Sequence, residues 1–116
     1  MNNEIAKRTP IDVRFDLIPP ECIIAVAKVF SEGAAKYGDE NWKKSRLSGD
    51  KSPINHAMKH IINYQAGIPD DESEDLKVHL SHAIVNLMFE YWYEANKSNF
   101  SKAKDLDCDG DEEIPF

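Results

Sequence analysis

The chain has 116 residues, the size of a single domain, and its 41% apolar content excludes a disordered segment. A formal net charge of −7 excludes a broadly basic binder of long nucleic acid. No run approaches the roughly 18 apolar residues of a membrane span, the start lacks the apolar run of a secretory signal, and two cysteines form no disulfide framework, so a cytoplasmic protein is expected.

Residues 1–18 read as an irregular or extended arm in which Val13, Phe15, Leu17 and Ile18 are apolar. Pro19-Pro20 follows, and proline suits a first helical turn, where Glu21 complements the helix dipole. Ile23, Val26, Ala27 and Phe30 recur at three and four residues, which predicts a helix over about 20–36, with Gly33 expected to kink it or end it early. Residues 37–52 are a loop rich in Gly, Asp, Asn and Ser. Ser52-Pro53 then supplies an N-cap and a first-turn proline, and Ile54, Ala57, Met58, Ile61 and Ile62 form a helical stripe that Gly67 and Pro69 terminate. Asp71 with Glu74 resembles a capping box, which predicts a long helix over about 72–96, and a short fourth helix is expected near 98–105. No segment alternates as a strand does. The expectation is an all-α domain over 1–104 and an acidic tail over 105–116.

The long helix carries the most informative pattern. Leu76, Leu80, Ala83, Ile84, Leu87 and Tyr91 fall on one side, and Val78, Val85, Phe89 and Trp92 on another. Between these sectors runs a narrow lane of Asp75, His79, His82 and Asn86, spaced i, i+4, i+7, i+11. A helix apolar on two sides is buried on two sides, so its polar lane needs a ligand, a metal or a hydrogen-bond network. On the preceding helix His56, Lys59, His60 and Asn63 share the face opposite the apolar stripe, which by itself reads as a solvated face. Antiparallel packing would bring His60 near His79 or His82. Histidines at such spacings bind Zn or other transition ions, whereas Asp70, Asp71, Glu72 and Asp75 suit Mg or Mn; acids there also simply charge a helix N-terminus.

The tail holds Asp105, Asp107, Asp109, Asp111, Glu112 and Glu113, six of the seven excess negative charges. The first 104 residues are therefore left at −1. Acids at positions one, three and five, then Gly110, match the first half of a calcium loop, but its twelfth position is Phe116 and the reading is a solvated acidic tail.

Two stretches resemble a known family. RFDLIPPECIIAVAKVFSEGAAKYGDENW is similar to the R-(Y/F)-D-L-(I/L)-P-P…GA-x-KYG-x-x-NW block of phage-associated dATP/dGTP diphosphohydrolases. HAMKHIINYQAGIPDDESEDLKVHLSHAIVNLMFEYW is similar to their A-x-(R/K)-H…G…D-x-E-S…H-L-x-H-A…N block. The resemblance covers about residues 12–94. It implies a fold akin to the MazG-type pyrophosphohydrolases, usually oligomers that cut a nucleoside triphosphate to monophosphate and pyrophosphate with Mg or Mn. It also implies a phage origin and therefore the host bacterial cytoplasm. By position, Lys36, Tyr37, Asn41 and Trp42 match the first block and His60, Asp71, Glu72, His79, His82 and Asn86 the second. Read onto these residues and the lane, Asp75, His79 and His82 are expected to carry catalysis. Arg14, Lys36, Tyr37, Asn41, Trp42, His60 and Asn86 would bind a purine nucleotide, and Asp71, Glu72, Asp75 and His79 would hold metal. One departure is visible: such enzymes carry E-x-x-E on one helix and E-x-x-D on the next, yet residues 53–66 contain no acid, and only Glu72 and Asp75 give an E-x-x-D. The expected function is metal-dependent hydrolysis of purine deoxynucleoside triphosphates by a dimer or tetramer. The alternatives are a non-catalytic sponge for a nucleotide or nucleotide-derived defence signal, and a small helical interaction protein.

Overall fold

The computed structural model describes residues 6–71 and 73–99. Three helices carry the fold: α1 (Pro20–Tyr37), α2 (Pro53–Ala66) and α3 (Lys77–Ala95). Short 3₁₀ turns lie at Phe15–Leu17, Asn41–Lys44, Gly49–Lys51 and Lys97–Asn99, and no strand occurs among the described residues. The all-α expectation holds. No helix of the described residues is long and apolar enough to cross a membrane.

Local chemistry explains most boundaries. Pro20 opens α1 and Gly38 closes it at φ +98°, ψ 153°, a conformation open to glycine. Ser52 Oγ accepts from the Asn55 N–H and Pro53 occupies the first turn of α2. Gly67 ends α2 in the left-handed region, and the Ile68 N–H reaches back to the Asn63 carbonyl at 2.9 Å.

Two expectations are corrected. Gly33 does not end α1; it lies buried within the helix, which continues to Tyr37. The long helix begins at Lys77 rather than at 72, because the 70–76 segment satisfies its polar groups locally. Asp70 Oδ1 accepts from the Asp71 N–H, Ser73 Oγ accepts from the Asp75 N–H, and Asp75 Oδ1 accepts from the Lys77 N–H. Such side-chain to backbone bonds compete with helix, so the Asp71–Glu74 capping box does not form the start. Of the expected fourth helix, only the turn at Lys97–Asn99 falls within the described residues, and the acidic tail lies outside them.

α2 and α3 run antiparallel. His60 meets His79 near the connecting loop, while Pro53 and His56 share a cavity with Asn86, Phe89 and Tyr93 at the far end. α1 packs on the other flank of α3, where Val29, Val85, Phe89 and Tyr93 form the buried core. Val26, Phe30, Trp42 and Trp92 surround that core.

The orientation of α2 reverses the simplest expectation for an amphipathic helix. Its face bearing Pro53, Ala57 and His60 packs inward, whereas Ile54, Met58, Ile61 and Ile62 stay exposed. α3 is buried on one apolar flank through Val85 and Phe89. Its second flank, with Leu80, Ile84, Leu87 and Tyr91, remains exposed.

Candidate functional site

The polar face of α2 lies against the polar lane of α3. Small residues at Ala57 and Ala83 permit that approach, and both are buried. The contact gathers His60, His79 and His82: the His60 ring centre lies 5.2 Å from that of His79 and 5.0 Å from that of His82. His60 and His79 are almost fully buried.

The hydrogen bonds fix the tautomers of the neutral pair. His79 Nε2 is 2.7 Å from the Ile68 carbonyl oxygen, and a carbonyl only accepts, so Nε2 carries the proton. Neutral His79 is then an acceptor at Nδ1. His60 Nδ1 lies 2.9 Å from it and must be the donor. His60 Nε2 is left with the lone pair. The chain of bonds thus ties both helices to the loop after Gly67, which carries Asp70 and Asp71. Burial, reinforced by the neighbouring His82, Lys59 and His79, pushes His60 down to about 4, and Asp70 opposes this weakly.

Asn86 is also buried and lies one turn beyond His82, whose backbone carbonyl accepts from its Nδ2 at 2.9 Å. The side chains of Asn86, His56, Lys51 and Trp42 line a small cavity of about 10 Å³, the room of a single water. His56 and Lys51 join the site through tertiary packing. Helical spacing already groups His56 with the His60 face; nothing in the sequence singles out Lys51.

The KYG-x-x-NW element forms the second part of the site. An open cleft of about 400 Å³ lies between the end of α1 and the following turn, lined by Phe30, Ser31, Gly33, Ala34, Asp39 and Trp42 among others. That volume suits a small organic ligand. Trp42 walls both cleft and cavity, but its ring is also an anchor: it stacks on Phe89 at 4.4 Å and meets Trp92 edge-on at 5.3 Å. Lys36 and Tyr37 are exposed at the end of α1, and Asn41 is half-buried in the turn. Glu40, at φ +56°, enters this turn in the left-handed region, a conformation strained for a residue with a Cβ.

α3 holds the turn in place. The Tyr93 hydroxyl donates to the Trp42 carbonyl and lies 3.2 Å from that of Ser45. Burial and the nearby Glu90 hold that phenol far above the usual tyrosine range, so it stays a donor. Arg46 bridges Glu90 at 2.6 Å and Glu94 at 2.9 Å. Tyr93→Phe should therefore cost about 1–3 kcal/mol, because the Trp42 carbonyl loses its hydroxyl donor. Urea denaturation monitored by tryptophan fluorescence will measure the loss.

Other sequence-derived candidates lie apart or outside. Arg14 sits exposed in the arm, paired through two nitrogens with Asp16 at 2.7 Å. Asp71 and Asp75 are exposed beside the histidines' loop, and Glu72 lies outside the described residues. The described side chains do not fit a divalent-metal cage. No three His, Cys, Asp or Glu among them are grouped to hold an ion. Asp75 already caps the start of α3, and both ring nitrogens of His79 are engaged.

Comparison with known proteins accords with the resemblance in the sequence. Residues 2–103 match the family described as "dATP/dGTP diphosphohydrolase, N-terminal". The chain is 28% identical over 81 residues to a dATP/dGTP diphosphohydrolase of Salmonella phage PMBT28; the aligned stretch is 70% of this chain and 27% of that protein. The chain thus spans about a quarter of the curated relative it matches. No solved structure matches it. With the match running from the arm through α3, the chain belongs to the dATP/dGTP diphosphohydrolase N-terminal family.

Proposed function

We propose that the chain acts on purine deoxynucleoside triphosphates, hydrolysing them to monophosphate and pyrophosphate in phage nucleotide metabolism. The observation that carries this reading is the His60–His79–His82 cluster where α2 meets α3, tied through His79 to the loop that carries Asp70 and Asp71. Water would attack the α-phosphorus, the bond to the bridging oxygen would break, and pyrophosphate would leave.

In this reading Asp75 and His82 touch the reacting phosphates. His79 acts from beneath them, holding His60 and the Ile68 loop in register. Lys36 neutralises phosphate charge, while Tyr37, Asn41 and Trp42 bound the nucleoside; Arg14, paired with Asp16 in the arm, and Asn86, buried beside a water-sized cavity, make no contact in this reading. The resemblance implies a Mg2+ or Mn2+ requirement, which the assay below tests with EDTA. A homo-oligomer is the proposed working form.

The alternative is a non-catalytic nucleotide sponge, which the absence of any acid from residues 53–66 favours, since that helix supplies no E-x-x-E. A single assay separates the two. The protein is incubated with dATP or dGTP and Mg2+, Mn2+ or EDTA, and pyrophosphate and monophosphate are followed. Turnover that falls at least tenfold in Asp75→Ala is the expected result. Tight binding with full recovery of the triphosphate would overturn hydrolysis in favour of the sponge.

A further inference from the structure

The turn after α1 is strained at one residue, and its own bonds do little to hold it. Gly38 takes φ +98°, which glycine adopts freely, but Glu40 takes φ +56°, ψ +25° with a full side chain. The Glu40 carboxylate meets Lys43 at 3.3 Å and is 67% exposed, so that ion pair adds little. Within the turn the Asn41 N–H reaches the Gly38 carbonyl at 3.2 Å, and the Lys43 N–H reaches the Glu40 carbonyl at 3.0 Å. A left-handed residue with a Cβ persists where the surrounding structure over-determines it.

The C-terminal half of α3 supplies those surroundings. Phe89 stacks on the Trp42 ring at 4.4 Å. The Tyr93 hydroxyl gives its one hydrogen to the Trp42 carbonyl and stands 3.2 Å from the Ser45 carbonyl. Arg46 spans Glu90 at 2.6 Å and Glu94 at 2.9 Å, and its guanidinium lies 5.7 Å from the centre of the Tyr93 ring. One helix thus grips the stretch 42–46 at three points. The cleft of about 400 Å³ is lined by the strained turn, through Gly38, Asp39, Glu40 and Trp42, and by the end of α1, but not by Tyr93 or Arg46.

We infer that Tyr93 and Arg46 are positioning residues of this cleft: they hold 38–45 in the arrangement that forms the cleft before any ligand enters, and so set ligand affinity from α3 without touching the ligand. A cleft formed in advance spares the ligand the cost of ordering its walls. Once the Trp42 and Ser45 carbonyls lose their anchor, the backbone at Glu40 is free to relax to negative φ, and Asp39 and Glu40 leave the wall. The inference rests on the nucleotide reading above only for its affinity test. Its structural test needs no nucleotide.

Hydrogen exchange of the full chain, followed by mass spectrometry without nucleotide, is the structural test. Tyr93→Phe and Arg46→Gln should each speed exchange over 38–45 by about tenfold while 53–66 keeps its rate. Equal acceleration of both segments would signal a general loss of stability and overturn the inference, as would no acceleration. Should Tyr93→Phe lose its helical circular dichroism, Arg46→Gln, at a half-buried position, decides the same question. Equilibrium dialysis with dATP and dGTP reads the affinity. Either variant should raise Kd by about fivefold. In a Glu40→Gly background the same substitution should raise it by less than about twofold, because glycine holds φ +56° without strain. Local acceleration with an unchanged Kd, or an undiminished effect beside Glu40→Gly, would overturn the positioning role. If the unaltered protein binds neither nucleotide while exchange behaves as stated, the nucleotide reading falls and the positioning of the turn stands.

Discussion

Phe89→Ala is expected to lower folding stability by about 3–5 kcal/mol, the largest loss from any single truncation in the core. Phe89 is 2% exposed and lies where three elements meet. Its ring stacks on Trp42 at 4.4 Å and meets Phe30 edge-on at 5.6 Å, so it joins the turn after α1 and α1 itself to α3. Alanine removes the ring from both contacts and opens a cavity beside the one already present between Trp42 and Asn86. Phe89→Leu should restore more than half of the loss, because volume rather than aromatic geometry dominates. Denaturant midpoints at one fixed protein concentration are the proper measure, since any self-association would add to apparent stability. A loss below about 1 kcal/mol would mean that this cluster does not hold the fold together.

The second large effect is acid lability from His60. Its folded value of about 4 lies below the ordinary 6.5, so the native state favours the neutral ring. Between pH 6.5 and 4 the unfolded chain binds a proton that the folded chain refuses. Stability is therefore fully present above pH 6.5 and falls as the pH drops, by about 3 kcal/mol at the lower limit. Protonation would also leave two N–H donors on His60, whereas the His79 partner nitrogen accepts only one. His60→Gln keeps a donor yet removes the titration, so its stability should depend less steeply on pH over the same interval. Urea midpoints at pH 7, 6, 5 and 4 for both proteins will test this. An equal slope in the variant would assign the lability to other groups.

Much of the candidate site is legible in the amino-acid sequence. The i, i+4, i+7, i+11 spacing sets His79, His82 and Asn86 on one line of α3, and the short connection between helices brings His60 to His79. These are local consequences of helical period and loop length. The role of Asp75 is less legible. Helical spacing makes it the first member of the lane, but it precedes the helix and caps it, because the Asp and Ser side chains of 70–75 satisfy backbone groups that a helix would otherwise use. The bond from His79 to the Ile68 carbonyl leaves no trace in the sequence, since any residue supplies a carbonyl.

Trp42 illustrates the same division. Its spacing within KYG-x-x-NW singles it out, and base stacking and packing are equally open from that spacing alone. The structure adds that its ring already leans on Phe89, Trp92 and Tyr93, contacts separated from it by about fifty positions along the chain.

The sequence by itself determined that α1, α2 and α3 would form, where proline and glycine would bound most of them, and that α2 and α3 each carry a polar and an apolar face. It did not determine which face turns inward. Periodicity measures the contrast between two sides of a helix, and that contrast is unchanged if the neighbours exchange sides. Only the tertiary structure decided that the polar faces meet, because Ala57 and Ala83 permit close approach and the histidines satisfy one another there, while Ile54, Met58, Ile84 and Tyr91 are turned outward.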